Sequence, residues 1–279
     1  MKYKNIKFGF FIIALSFFTF SNVFSQNNER EILIETNFGN IKLKLYNETP
    51  KHRDNFLRLV SENYFDSLLF HRVINNFMIQ GGDPDSKNAP KGKLLGDGGP
   101  DYTIAAEFNK NLFHKKGVLA AAREGDKVNP EKRSSASQFY IVQGQVFTNE
   151  QLDKMENAIN QRRKQEFIIN YLNKKENKAL KNKLDSLQKN KKTNEIESII
   201  LKIEKDTQEE FNKNYKLTYT TEQRKIYKSI GGTPHLDGSY TVFGEVVEGL
   251  DVVDKIATVK TDKNNRPLKD VVMKIKIIK

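Results

Sequence analysis

The run Phe70-His71-Arg72-Val73-Ile74-Asn75-Asn76-Phe77-Met78-Ile79-Gln80-Gly81-Gly82-Asp83 gathers the residue types best able to do chemistry. Arg72 supplies a permanent cation with a rigid fork of donors. Gln80 supplies an amide that donates and accepts. Side chains alternate across a strand, so Phe70, Arg72 and Ile74 are expected on one face. Met78 and Gln80 share a face after a turn at Asn75-Asn76. A cation, an apolar surface and an amide on neighbouring strands suit an extended peptide. They do not suit bond hydrolysis, because no nucleophile or base accompanies them.

Other chemistries lack their residues. There is no G-x-S-x-G elbow for a hydrolytic serine. Gly81-Gly82 is followed by Asp83, where a phosphate-binding loop needs lysine. His52, His71, His114 and His235 lie far apart, without metal-ligand spacing. The chain has no cysteine, which excludes disulfides, thiolate catalysis, iron–sulfur clusters and cysteine-bound zinc.

The elements around this run are expected to be mainly strands. Residues 31–36 and 41–46 flank Asn37-Phe38-Gly39-Asn40, a hairpin with Gly39 at positive φ and with Ile41, Leu43 and Leu45 on one face. Thr49-Pro50 reads as an N-cap and first helical turn, opening a helix that carries Phe56, Leu57 and Val60. Near the C-terminus, 240–247 reads as a strand and 250–256 as a short helix. At 271–278, Val271, Met273, Ile275 and Ile277 alternate inward.

The middle is different. No glycine or proline occurs between Gly144 and Gly231, and this stretch carries nineteen basic and thirteen acidic residues. Thr148 with Gln151, and Thr220 with Gln223, have capping-box spacing. Apolar stripes predict two long amphipathic helices broken near 190–194, then a short helix over 221–229. The stripes suit a self-packed helical hairpin, a client-binding arm or a self-associating arm. The expected organisation is therefore a β domain over 26–147 and 230–279, split by a charged helical insertion at 148–229.

Residues 1–25 read as a secretory signal. Lys2, Lys4 and Lys7 precede an apolar stretch over 8–20, and Val23-Phe24-Ser25 offers a small-residue cleavage site. The expected location is exported, in the periplasm or cell envelope, with an uncleaved membrane anchor as the alternative. The 279-residue chain has 47 Lys+Arg against 35 Asp+Glu, a net charge of +12. In an exported protein that charge reads as a solvated lysine-rich surface, not a nucleic-acid site.

The 70–83 run closely resembles the signature of the cyclophilins, a family of peptidyl-prolyl cis-trans isomerases. Ser137-Gln138-Phe139-Tyr140-Ile141, residues 117–122 and Leu236-Asp237-Gly238 with residues 240–246 resemble further blocks of that family, in the family's order. Asn55-Phe56 after Thr49-Pro50 fits its first helix. The resemblance implies a closed eight-stranded antiparallel barrel capped by two helices, with a groove on its outer face. It implies catalytic roles for Arg72, Phe77 and Gln80. It implies substrate-binding roles for Met78, Ala122, Arg123, Tyr140, His235, Leu236 and Tyr240. Phe77, Met78, Tyr140 and Leu236 match the proline-ring pocket, and Gln80 and Ala122 match positions that hold the peptide backbone. His235 stands where many members have tryptophan or phenylalanine, Tyr240 where eukaryotic members have histidine, and Arg123 where an asparagine acts largely through its backbone.

The implied activity is rotation about X-Pro bonds in unfolded or newly exported polypeptides, without cofactor or metal, in aid of folding. The alternative is a catalytically weak proline-peptide-binding chaperone that uses the helical arm.

Overall fold

The computed structural model describes residues 29–279. The signal-peptide reading of 1–25 lies outside these residues. The strands are β1 (Arg30–Thr36), β2 (Gly39–Leu45), β3 (Leu68–Leu69), β4 (Arg72–Ile74), β5 (Met78–Gly81), β6 (Thr103–Ile104), β7 (Val118–Ala121), β8 (Ser134–Ser135), β9 (Phe139–Val142), β10 (Val242–Glu248) and β11 (Val272–Ile277). Helix α1 (Pro50–Ser61) follows β2. Between β9 and β10 stand α2 (Asn149–Asn173), α3 (Lys178–Lys189), α4 (Thr193–Asp206), α5 (Gln208–Asn214) and α6 (Thr221–Ser229). Helix α7 (Leu250–Ala257) follows β10.

Nine strands form one antiparallel sheet in the order β3-β11-β1-β2-β10-β7-β9-β5-β4, and β6 pairs with β8 apart from it. The two edge strands, β3 and β4, are separated in sequence only by Phe70-His71, so the sheet curls round on itself. The ladder holds nine strands where the resemblance implies eight, because the 68–74 segment changes partner part-way. Its first half pairs with β11 and its second with β5. The alternation slips at that change. Phe70 and Val73 both lie in the inner core, while Arg72 and Ile74 face outward. Phe70 therefore does not share a face with Arg72 as strict alternation predicts.

The concave side of the sheet is filled by Ile32, Ile34, Leu43, Ile79, Leu119, Ile141, Met273 and Ile275, all buried. Helix α1 lays Phe56, Leu59 and Val60 onto them, and α7 adds Val253 and Ile256. Phe56, Phe65 and Phe139 interlock, with ring centroids 4.9–5.7 Å apart. Such edge and offset contacts add to their area burial.

Two local expectations hold. Gly39 has φ +129° in the β1–β2 turn. Both capping boxes form: Thr148 and Thr220 each accept from the N3 backbone, and Gln151 and Gln223 return the bond. The α1 cap differs. Thr49 occupies the N-cap position, but its hydroxyl makes no capping bond. The Glu107 carboxylate, distant in sequence, accepts instead from the Lys51 and His52 amides at 3.1 and 3.0 Å. An acid there also complements the helix dipole.

The expected pair of long helices is broken further. The predicted break near 190–194 is present between α3 and α4. A second falls at Lys174–Asn177, where Asn177 donates to the Tyr171 carbonyl at 2.7 Å, and a third at Thr207, whose hydroxyl donates to the Ile203 carbonyl. Such side-chain bonds to helix carbonyls compete with straight helix. The breaks let Phe167 and Ile168 of α2 meet Ile203 and Phe211 in one cluster.

Candidate active site

The site grows from a row of residues paired across the convex face. Arg72 pairs with Gln80, Gln80 with Tyr140, and Tyr140 with Ala120. Directly paired residues on adjacent strands share a face, so the ladder itself sets a cation, an amide and an aromatic ring side by side. The next row places Met78 between Ile74 and Val142. Met78, Tyr140, Val118 and Val242 form a second apolar cluster behind the first core, with Phe77, Ala122, Leu236 and Tyr240 at its margin.

A cavity of about 310 Å³ opens on this face. Arg72, Phe77, Met78, Gln80, Ala122, Arg123, Tyr140, Leu236 and Tyr240 all line it. Nine of the ten residues singled out from sequence thus surround one space. The tenth, His235, stacks on Phe77 at 5.5 Å between ring centroids and forms the outer edge.

Polar bonds hold the row still. Arg72 Nη1 donates to Gln80 Oε1 at 3.0 Å, and Gln80 Nε2 donates to Gln138 Oε1 at 3.1 Å. Gln138 Nε2 then donates to the carbonyls of Gly96 and Gly98 at 2.7 and 2.8 Å. Every side-chain amide along this chain has a fixed orientation as a result. Arg72 is half-buried, and among the described residues no carboxylate lies within ion-pair distance of it. Burial lowers its pKa from the ordinary value, yet a guanidinium stays charged. The site therefore presents a desolvated cation that nothing neutralises.

The Arg123 side chain donates to the Ser239 carbonyl at 2.7 Å, with its guanidinium 4.5 Å from the centre of the Tyr240 ring. An asparagine here would not reach as far. Ala122 spends its own N–H on the Gln138 carbonyl and accepts from Ser135 N–H.

The comparisons with known proteins bear on this geometry. The family model described as cyclophilin type peptidyl-prolyl cis-trans isomerase/CLD matches residues 31–277. The chain belongs to the cyclophilin-type peptidyl-prolyl cis-trans isomerases. A Staphylococcus saprophyticus protein named "Putative peptidyl-prolyl cis-trans isomerase" is 28% identical over 247 residues, 88% of this chain and 90% of its own length. A Staphylococcus aureus protein of the same name is 27% identical, over 89% of this chain and 91% of its own. The crystal structure of a Cryptosporidium parvum cyclophilin type peptidyl-prolyl cis-trans isomerase matches at a TM-score of 0.50 and 19% identity, covering 90% of this chain and 98% of that one. That likeness shows the fold.

Sequence reasoning missed four parts of this cyclophilin's site. Gln138 lies inside a recognised block but was not singled out. Asp83 is wholly buried and accepts from the Asp85 and Gly96 amides, which ties down the loop whose carbonyls orient Gln138. His114 and Asp237 are also buried. His114 donates to Asp237 Oδ1 from Nδ1 at 2.9 Å, and its Nε2 is hydrogen-bonded to the Tyr140 hydroxyl at 3.0 Å. A buried acid just after Leu236 was the available signal, because a lone acid on an apolar rim needs a partner. Gly82 explains the paired glycines. It has φ +93°, and a Cβ there would lie 2.1 Å from the Ser137 carbonyl oxygen.

His71 shares the cavity lining. It is only 2% exposed, and burial pushes its pKa down to about 4, offset in part by Asp83. Between about pH 6.5 and 4 the unfolded chain takes a proton that the folded one refuses. Stability is therefore full above about pH 6.5 and falls with pH, by about 3 kcal/mol from this group. His52, also buried and lowered by its burial, acts in the same direction. Denaturant titration is expected to give a lower midpoint at pH 5 than at pH 7.5, with a smaller difference in His71→Asn. An equal difference in that variant would assign the loss elsewhere.

Proposed function

We propose that this chain accelerates rotation about X-Pro bonds in extended polypeptides, with Arg72 as the group that stabilises the twisted amide. The observation that carries this is the Arg72 guanidinium, held by Gln80 at 3.0 Å beside an apolar pocket and left without a counter-ion. The planar amide resists rotation with a barrier of about 18–20 kcal/mol. As the bond twists, the prolyl nitrogen pyramidalises and gains a lone pair. A donor aimed at that lone pair favours the twisted state over either planar one, which is what acceleration requires. Phe77, Met78, Tyr140 and Leu236 seat the ring, while the preceding carbonyl swings. Gln80 both orients Arg72 and holds the peptide backbone. Tyr240 and Arg123 close one side of the groove, and His235 supports Phe77.

The substrates in this reading are unfolded or newly exported chains, whose slow proline steps the protein relieves. Support comes from the basic n-region, apolar core and small-residue site in 1–25. Residues 148–229 stand as a helical insertion in the cyclophilin domain, placed between two strands that flank the groove.

The test is cis/trans exchange of a short Ala-Pro peptide with the full chain. Spontaneous exchange takes tens to hundreds of seconds, on the order of minutes. Catalytic amounts of protein are expected to collapse it to seconds or less. Gln80→Ala is expected to lower kcat/KM about tenfold by freeing Arg72. A folded wild type that leaves the exchange unchanged would overturn the reading, even if it protected an aggregating client.

A further inference from the structure

The rim of the pocket is a single turn, Pro234–Leu236, followed by Asp237. It carries Leu236, which lines the cavity, and His235, which stacks on Phe77. Three side chains from the helical segment between β9 and β10 fasten it. Arg163 of α2 donates from Nη2 to the Asp237 carbonyl at 3.0 Å and from Nη1 to the Tyr215 carbonyl at 3.0 Å. Tyr219 donates its hydroxyl to the Pro234 carbonyl at 2.8 Å. Tyr227 of α6 donates to Asp237 Oδ2 at 2.6 Å. Tyr219 and Tyr227 are buried, and they pack with Leu152 from the first turn of α2.

The fastening continues into the pocket floor. The other Asp237 oxygen accepts from His114, whose Nε2 is hydrogen-bonded to the Tyr140 hydroxyl. Rim and floor therefore share one buried carboxylate, and the helices hold it from outside. The approach is close: a Cβ on Gly238, at φ +67°, would lie 2.6 Å from Arg163 Nη2. The contacts are ones that neither sequence spacing nor the sheet register requires.

We propose that the helical segment is a structural part of the prolyl-binding site, with Arg163, Tyr219 and Tyr227 as positioning residues for the Leu236 rim. None of the three is among the residues that line the cavity. They act through the rim, so they set how well the ring is seated and leave the Arg72 step intact. This rests on the pocket assigned above to the proline ring.

Exchange NMR on an Ala-Pro peptide separates KM from kcat and decides the matter. Arg163→Ala and Tyr219→Phe are each expected to raise KM about five- to tenfold, with kcat within about twofold of wild type. Arg163→Lys, which can still reach one carbonyl, is expected to recover part of the loss. Leu180→Ala loosens the distal cluster of α2–α5 without touching the rim contacts, and is expected to leave KM unchanged. An active wild type with KM unmoved in folded Arg163→Ala would overturn the proposal. So would a KM rise of equal size in Leu180→Ala, which would mean general loosening. Should Arg163→Ala fail to fold, Tyr219→Phe decides alone, since it removes one hydroxyl. An inactive wild type would instead refute the proline-pocket reading beneath it.

Discussion

Arg72→Ala is expected to lower kcat/KM for an Ala-Pro peptide by about 100- to 1,000-fold, the range seen when one preorganised donor to a developing charge is removed. The loss should fall on kcat. In the proposed mechanism the guanidinium would meet a lone pair that exists only in the twisted state, so planar substrate would gain little from it. Peptide affinity, measured by titration, is expected to change only a few-fold, because Phe77, Met78, Tyr140 and Leu236 remain. The fold should persist as well. Arg72 is half-buried at the groove, and among the described residues its side-chain bond is to Gln80. Arg72→Lys keeps the charge but gives up the planar fork that binds Gln80 and, in the proposed mechanism, would reach the prolyl nitrogen at once, so it is expected to recover little. Retention of most of the rate in a folded Arg72→Ala would remove Arg72 from the mechanism. Loss of affinity in parallel with rate would make it a binding residue.

Asp237→Ala is expected to be the most damaging single change near the site. Its side chain accepts from the His114 amide at 2.8 Å, His114 Nδ1 at 2.9 Å and Tyr227 at 2.6 Å, all among buried groups. Alanine leaves each of these donors without a partner and without water. A stranded buried donor costs about 1–3 kcal/mol, so a total loss of about 3–5 kcal/mol is expected. For a chain of this size that corresponds to a fall in Tm of about 6–10 °C. Asp237→Asn retains one accepting oxygen and is expected to lose about half as much. Below its melting point Asp237→Ala should also bind a proline peptide more weakly, since Leu236 and Tyr140 lose their common anchor. Differential scanning calorimetry and peptide titration read the two effects separately. A Tm within about 2 °C of wild type would show that His114 and Tyr227 find other acceptors.

How much was legible in the sequence follows from distance along the chain. Arg72 and Gln80 are eight residues apart on one hairpin, so alternation and a turn suffice to bring them together. The two capping boxes span three residues each, and both form. Thr49-Pro50 does start α1, but the carboxylate that caps it is not legible, because Glu107 lies 55 residues from His52 and nothing local announces it. Strict alternation puts Phe70 on the Arg72 face because it assumes one continuous ladder, whereas the 68–74 segment changes partner. The extra helix breaks at Lys174–Asn177 and Thr207 escaped notice because no glycine or proline marks them. Asparagine and threonine side chains end those helices by bonding to carbonyls, which composition alone does not reveal.

The sequence by itself determined the hairpins, the alternating strands, the residue types in the groove and the family to which they belong. Those depend on spacing, and periodicity carries it. The tertiary structure decided which polar groups support them. Gln138 reaches Gln80 across 58 residues, and His114 reaches Asp237 across 123. A buried donor must find its acceptor wherever the curled sheet brings one, and any of many acids in the sequence could have served. Only folding selected Asp237, set it between the pocket floor and the helices, and gave Arg163 a carbonyl to hold.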